Sequence, residues 1–116
     1  MSWRRVAALA DLGDAALVAI VLDDVPIALC RVAGTVHAVS DICTHEYVRL
    51  SEGVLDGSVI ECPLHRARFD VVTGRCLARP AEADLDVYPV RIADGAIWIR
   101  LDGPIAPASA PRRSVS

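Results

Sequence analysis

The apolar positions of this chain fall in short runs, and the polar pairs between them are of the kinds that make tight turns. Ala15 to Leu22 and Val25 to Val32 are two such runs, rich in Val, Ile and Leu, flanking Asp23-Asp24. Two β-rich runs around a pair of turn-forming residues predict a hairpin. Ala33-Gly34 then leads into Thr35 to Ser40, and turn signals recur at Asp56-Gly57, Thr73-Gly74 and Asp94-Gly95. After the last of these, Ala96 to Leu101 alternates. Ile97, Ile99 and Leu101 point one way and Trp98 and Arg100 the other, which is the period of a half-buried strand. No long segment carries a helical period, although a short helix between Ala81 and Leu85 fits the pattern. Many short strands at regular turn spacing predict a small all-β domain.

Composition narrows the picture without changing it. The 116 residues suffice for one compact domain with a core that needs no disulfide staples. Apolar residues make up 53% of the chain, yet the longest run, Ala15 to Leu22, is far short of the roughly 20 needed to span a membrane. Ser2-Trp3-Arg4-Arg5-Val6 has the look of a twin-arginine export signal. Asp11 and Asp14, however, interrupt the stretch that would have to be apolar, so a cytoplasmic location is expected. The net charge of -3, with both signs interspersed, leaves no basic stripe for nucleic acid. Residues 103–116, rich in Pro, Ala, Ser and Arg, are expected to form a disordered tail behind a domain of residues 1–102.

The chemistry is concentrated between residues 43 and 65. Cys43-Thr44-His45 and Cys62-Pro63-Leu64-His65 are separated by residues 46–61. In an extended backbone, residues two apart share a face, so Cys43 and His45 can point at one site. Cys62 and His65 can do the same through a tight turn stiffened by Pro63. Two such loops on neighbouring strands would present two thiolates and two imidazoles to a common centre. Zinc accepts that donor set, but its usual fingers carry a Cys-Cys clip followed by a His-His clip. Here each clip is mixed, which suits a pair of iron atoms with two His replacing two Cys on one of them.

The pattern resembles the Rieske [2Fe–2S] signature. The likeness runs through Asp41-Ile42-Cys43-Thr44-His45, Leu50-Ser51-Glu52-Gly53, Cys62-Pro63-Leu64-His65, Phe69-Asp70 and Thr73-Gly74, and covers roughly residues 3 to 101. The length is similar to that of the stand-alone Rieske ferredoxins of bacterial ring-hydroxylating dioxygenase systems. The resemblance implies an antiparallel β-sandwich base with a two-loop cluster-binding subdomain at about residues 41–80. It implies one [2Fe–2S] cluster, with Cys43 and Cys62 on the inner iron and His45 and His65 on the outer, and a proline loop at Pro80 covering it. It further implies a monomeric electron carrier with no catalytic residues of its own. Its partners would be a flavoprotein ferredoxin reductase and a terminal Rieske oxygenase, with neither membrane nor nucleic acid involved. The alternatives are a small Rieske-like subunit of a nitrite reductase or a structural metal-binding subunit.

Several neighbours refine the expectation. Glu46-Tyr47 follow His45 where many relatives have a small residue, which bears on the shape of the docking face. Respiratory-chain Rieske proteins brace their loops with a disulfide and place hydroxyl donors near the cluster. Here Val48 or a neighbour in the first loop and Leu64 in the second stand at the brace positions, and Ala67 and Phe69 at the hydroxyl positions, so a low-potential carrier is expected. Cys30 and Cys76 are expected to be free thiols, His37 a strand residue without a ligand role, and Trp3 and Trp98 packing residues or residues at an amphipathic surface. Arg66 and Arg68 flank a ligand loop and are either partner contacts or simply solvated.

Overall fold

A computed structural model of the chain describes residues 3–12, 16–43, 48–63, 67–78 and 83–101. Among the described residues, eleven strands run in the order β1 (Arg4–Ala8), β2 (Leu17–Leu22), β3 (Val25–Val32), β4 (Thr35–Ser40), β5 (Val54–Asp56), β6 (Val59–Glu61), β7 (Arg68–Asp70), β8 (Cys76–Ala78), β9 (Val87–Tyr88), β10 (Val90–Ala93) and β11 (Ala96–Ile99). They form three antiparallel sheets, ordered β1-β11-β10, β2-β3-β4-β9 and β5-β6-β7-β8. The described helical structure is one turn, α1 (Leu9–Leu12), and a 3₁₀ turn at Leu50–Glu52. Among the described residues, no helix is long and apolar enough to cross a membrane.

The expected hairpins form where the turn residues predict them. Asp23 and Asp24 both take positive φ, as do Ala33-Gly34 and Asp94-Gly95. Positive φ at both central residues of a two-residue loop is the backbone that matches the strand twist. At Asp56-Gly57 the turn sits one residue later than expected. Asp56 pairs with Val59, so Gly57-Ser58 form the loop and Gly57 supplies the positive φ. The helix allowed between Ala81 and Leu85 is not borne out over Ala83 to Leu85, and residues 81 and 82 lie outside those described. There the Leu85 N–H donates to the Gly74 carbonyl and the Asp84 carboxylate accepts from the Cys76 N–H, so this segment bonds across to the 74–76 loop. The residues after 101 and Pro80 also lie outside those described.

The middle sheet is buried on both sides. Ile27, Leu29, Ala38 and Tyr88 face a cluster shared with Ile97 and Ile99 of β11, whereas Ala28, Cys30, Val39 and Val87 face Cys43, Ile60, Cys62 and Phe69. That explains why β3 reads as a continuous apolar run rather than an alternating one. The β5–β8 sheet is thereby seated on one side of the middle sheet, and β1, β10 and β11 on the other. Arg4 and Arg5 are part of β1, opposite Ile99 and Trp98, and Arg4 pairs with Asp23 at 2.7 Å.

Burial of two acidic hydrogens makes the fold sensitive to alkali. Cys30, fully buried, has its thiol pushed up to about 12 by desolvation, with the Asp41 charge adding to it. Tyr88 is likewise raised to about 12, by burial first and then by Asp86. The unfolded chain releases these protons near their ordinary values of 9.0 and 10.0 while the fold retains them. Between those values and about 12 the folded state binds more protons, so stability falls as pH rises through that window. Urea midpoints taken from neutral pH upward should decline from about pH 9, and the decline should be shallower in Cys30→Ala and Tyr88→Phe.

Candidate metal centre

Two loops of the same construction present the cysteines. In the first, Ile42 and Arg49 form an isolated antiparallel bridge, and the Cys43 N–H donates to the Val48 carbonyl at 2.9 Å. In the second, Glu61 pairs with Arg68 across β6 and β7, and the Cys62 N–H donates to the Ala67 carbonyl at 2.8 Å. Each loop is therefore closed by a bond from the cysteine to the residue five positions on. Four residues lie inside each closure, with His45 second of its four and His65 third of its four. His45 and His65, like Glu46, Tyr47, Leu64 and Arg66, lie outside the described residues.

Both thiols face inward. Cys43 is 3% exposed and Cys62 1%, and they belong to one buried cluster with Leu50, Ile60, Ala67 and Phe69. Val48 packs against that cluster from its edge. Two thiols in an apolar pocket, each opening a short loop that also carries an imidazole, fit a [2Fe–2S] group with mixed ligation. Ala67 and Phe69, both fully buried, bring no side-chain hydroxyl to this cluster.

The supports of the loops are equally specific. Asp41, fully buried, accepts from the Ser51 N–H at 2.6 Å with Oδ1 and from the Ser51 hydroxyl at 2.7 Å with Oδ2. Its carbonyl accepts from Leu50 N–H at 2.7 Å, its own N–H donates to Pro26, and Arg49 Nη1 lies 3.7 Å from Oδ2. Beyond the 3₁₀ turn, Gly53 lies so close to the second loop that a Cβ there would sit 1.9 Å from the Glu61 carbonyl oxygen and 3.1 Å from Pro63 Cδ. Sequence reasoning quoted Asp41, Ser51 and Gly53 only as part of the family pattern and assigned them no work.

A model of the Rieske [2Fe-2S] domain matches residues 2–89. The chain belongs to the Rieske [2Fe–2S] domain family. Among Rieske relatives, the ferredoxin component of the naphthalene 1,2-dioxygenase/salicylate 5-hydroxylase systems of Ralstonia sp is 38% identical over 101 residues, covering 87% of this chain and 97% of that one. A chain in the complex of reduced oxygenase and oxidized ferredoxin of carbazole 1,9a-dioxygenase superposes with a TM-score of 0.78 at 36% identity, covering 84% of this chain and 91% of its own. A Mycobacterium tuberculosis protein described as a "putative NADH-dependent nitrite reductase small subunit" is less similar, at 28% identity and a TM-score of 0.74, covering 86% of this chain and 96% of that one. The Rieske match embraces both cysteine-bearing loops and the two sheets from which they spring.

The other singled-out residues are placed apart from the loops or play supporting parts. Cys30 and Cys76 are not in disulfides. His37 pairs with Cys30 across β3 and β4, and burial lowers its pKa against the opposing pull of Asp70. Arg91 and Arg100 both lie over the Trp3 ring, with guanidinium carbons 5.3 and 5.2 Å from its centre. Trp98 donates to the Ala93 carbonyl at 3.4 Å. Both tryptophans belong to the β1-β11-β10 side, across the middle sheet from the ligand loops, which agrees with a packing role. Arg68 is exposed on β7 beside the second loop.

Proposed function

We propose that this protein is the ferredoxin component of a bacterial aromatic-ring-hydroxylating dioxygenase system. It accepts single electrons from a flavoprotein ferredoxin reductase and delivers them to a terminal Rieske oxygenase. The observation that carries the proposal is the pair of equivalent loops, each closed on a buried cysteine, in a chain that is similar over nearly its whole folded length to ferredoxin components. When bound there, one [2Fe–2S] cluster supplies a one-electron couple.

The chain's own residues do the rest. Cys43 and Cys62 would hold one iron, and His45 and His65 the other. Neutral imidazoles in place of two thiolates leave the site less negative than an all-Cys one, which makes reduction easier. Leu50, Ile60 and Phe69 exclude water from the thiolate side. With Ala67 and Phe69 offering no hydroxyl donor, the potential lies in the lower part of the Rieske range, nearer about −150 mV than about +300 mV. The protein works as a cytoplasmic monomer, in brief encounters, because a carrier must release each partner quickly.

The test is reconstitution with the reductase and oxygenase encoded nearby. Anaerobically purified protein should carry about two iron and two sulfide per chain. Consumption of reduced nicotinamide cofactor should become coupled to ring hydroxylation only when this protein is added. Stoichiometric zinc without iron would support the structural metal-binding subunit instead. Electron delivery to a nitrite reductase but to no oxygenase would support the other alternative.

A further inference from the structure

The two ligand loops belong to different parts of the chain, and their spacing has to be set by something other than the loops themselves. The first hangs from the end of β4 and the second joins β6 to β7. A short, fully bonded path connects their roots. Asp41, two residues before Cys43, holds Ser51 through both carboxylate oxygens at 2.6 and 2.7 Å, and holds Leu50 through its carbonyl at 2.7 Å. Leu50 to Glu52 form the 3₁₀ turn, closed by the Gly53 N–H donating to the Leu50 carbonyl at 2.9 Å. Gly53 then lies directly against the backbone of Glu61 and the ring of Pro63, the two residues on either side of Cys62. Two atoms of a buried carboxylate, one turn of helix and one missing Cβ therefore span from one cysteine's neighbour to the other's.

We propose that Asp41 and Ser51 are positioning residues that fix the separation of the two ligand loops, with the 3₁₀ turn and Gly53 as the rigid spacer between them. The geometry favours this over a merely local role for Asp41. A carboxylate needed only to close the first loop could be replaced by the backbone bonds already present there, namely Cys43 to Val48 and Leu50 to Asp41. Instead the side chain is fully buried, which is unfavourable for a charge unless it is well bonded, and its two shortest bonds both go to the one residue that starts the path to the second loop. Among the described residues no disulfide links the loops, and Cys43 and Cys62 are free of one.

The proposal rests on the reading of these loops as the [2Fe–2S] site, and the experiment separates the two. Ser51→Ala removes only the hydroxyl bond to Asp41 and leaves the backbone bond, so it should fold. Ser51→Thr restores the hydroxyl. In Ser51→Ala, release of iron to a chelator should be about tenfold faster, the effect of losing one hydrogen bond to a charged group. Its visible circular dichroism should change in shape, because the ligand geometry relaxes. Amide hydrogen exchange of the as-purified protein should quicken by a similar factor in both loops, including Cys62 in the second. Leu29 and Ala38 of the middle sheet should exchange as before. Ser51→Thr should return all three readouts towards the parent values. Faster exchange confined to the first loop would overturn the proposal, as would equal acceleration in the middle sheet, which marks general destabilisation. Parent protein found to hold no iron and sulfide would overturn the site reading alone, and the exchange pattern would still decide whether the two loops are coupled.

Discussion

Cys62→Ala protein is expected to be colourless, with iron and acid-labile sulfide falling from about two each per chain to near zero. The thiol is 1% exposed and lies in the apolar cluster with Cys43, so alanine there removes a buried sulfur donor and puts nothing in its place. In the proposed site each iron would take two protein ligands, and with one removed the remaining bond would not retain it against chelators. Cys43→Ala should behave in the same way, as should the alanine variants of His45 and His65. Cys30→Ala should not, because Cys30 is a β3 residue opposite His37 that packs in the same buried cluster but belongs to neither loop closure. Iron and sulfide analysis beside the visible spectrum checks the whole series. Full iron content in Cys62→Ala would remove this residue from the ligand set.

The largest effect on folding is expected at Gly53. A Cβ there would lie 1.9 Å from the Glu61 carbonyl oxygen, a backbone atom that cannot swing away as a side chain can. Gly53→Ala must therefore push the 3₁₀ turn off the second loop, and overpacking of this kind costs about 3 kcal/mol or more. For a domain of this size that lowers the melting temperature by more than about 10 °C. Gly74 gives a second case: φ is +82° and a Cβ would meet the Leu85 carbonyl oxygen at 2.4 Å. Gly34 is the control, since it has φ +83° but nothing within 4 Å of a Cβ. Gly34→Ala therefore loses only about 1 kcal/mol for the left-handed backbone. Thermal melts of the three variants separate contact from conformation. If Gly53→Ala melts with Gly34→Ala, the close approach of the turn to the second loop is wrong.

Much of this protein was legible because its signals are local. Hairpin turns are chosen by one or two residues, so Asp23-Asp24, Ala33-Gly34 and Asp94-Gly95 marked the ends of strands that the fold contains. The alternation of Ile97 and Ile99 likewise survives as two fully buried side chains on β11. The proposed ligands stand out by covalent spacing, since Cys43 and Cys62 each open a loop that closes five residues on and carries one histidine in its sequence. The turn at Gly57-Ser58 slipped by one residue because both registers offer Gly57 a place, and only the pairing of Asp56 with Val59 chooses between them.

What the tertiary structure alone decided lies in contacts between segments with no local correlate. The apolar run of β3 is compatible with either face being buried. It is the presence of β11 on one side and β7 on the other that buries both. The four-residue α1 is too short to show a period, and it is recognisable only where it packs. Ser51 reads as an ordinary polar residue until the chain returns it to Asp41, ten positions earlier. Gly53 reads as a flexible joint until Glu61 comes against it. Turn chemistry and ligand spacing act over a few bonds and are written in adjacent residues. The spacing of the two loops is a sum of long-range contacts, which adjacent residues do not encode.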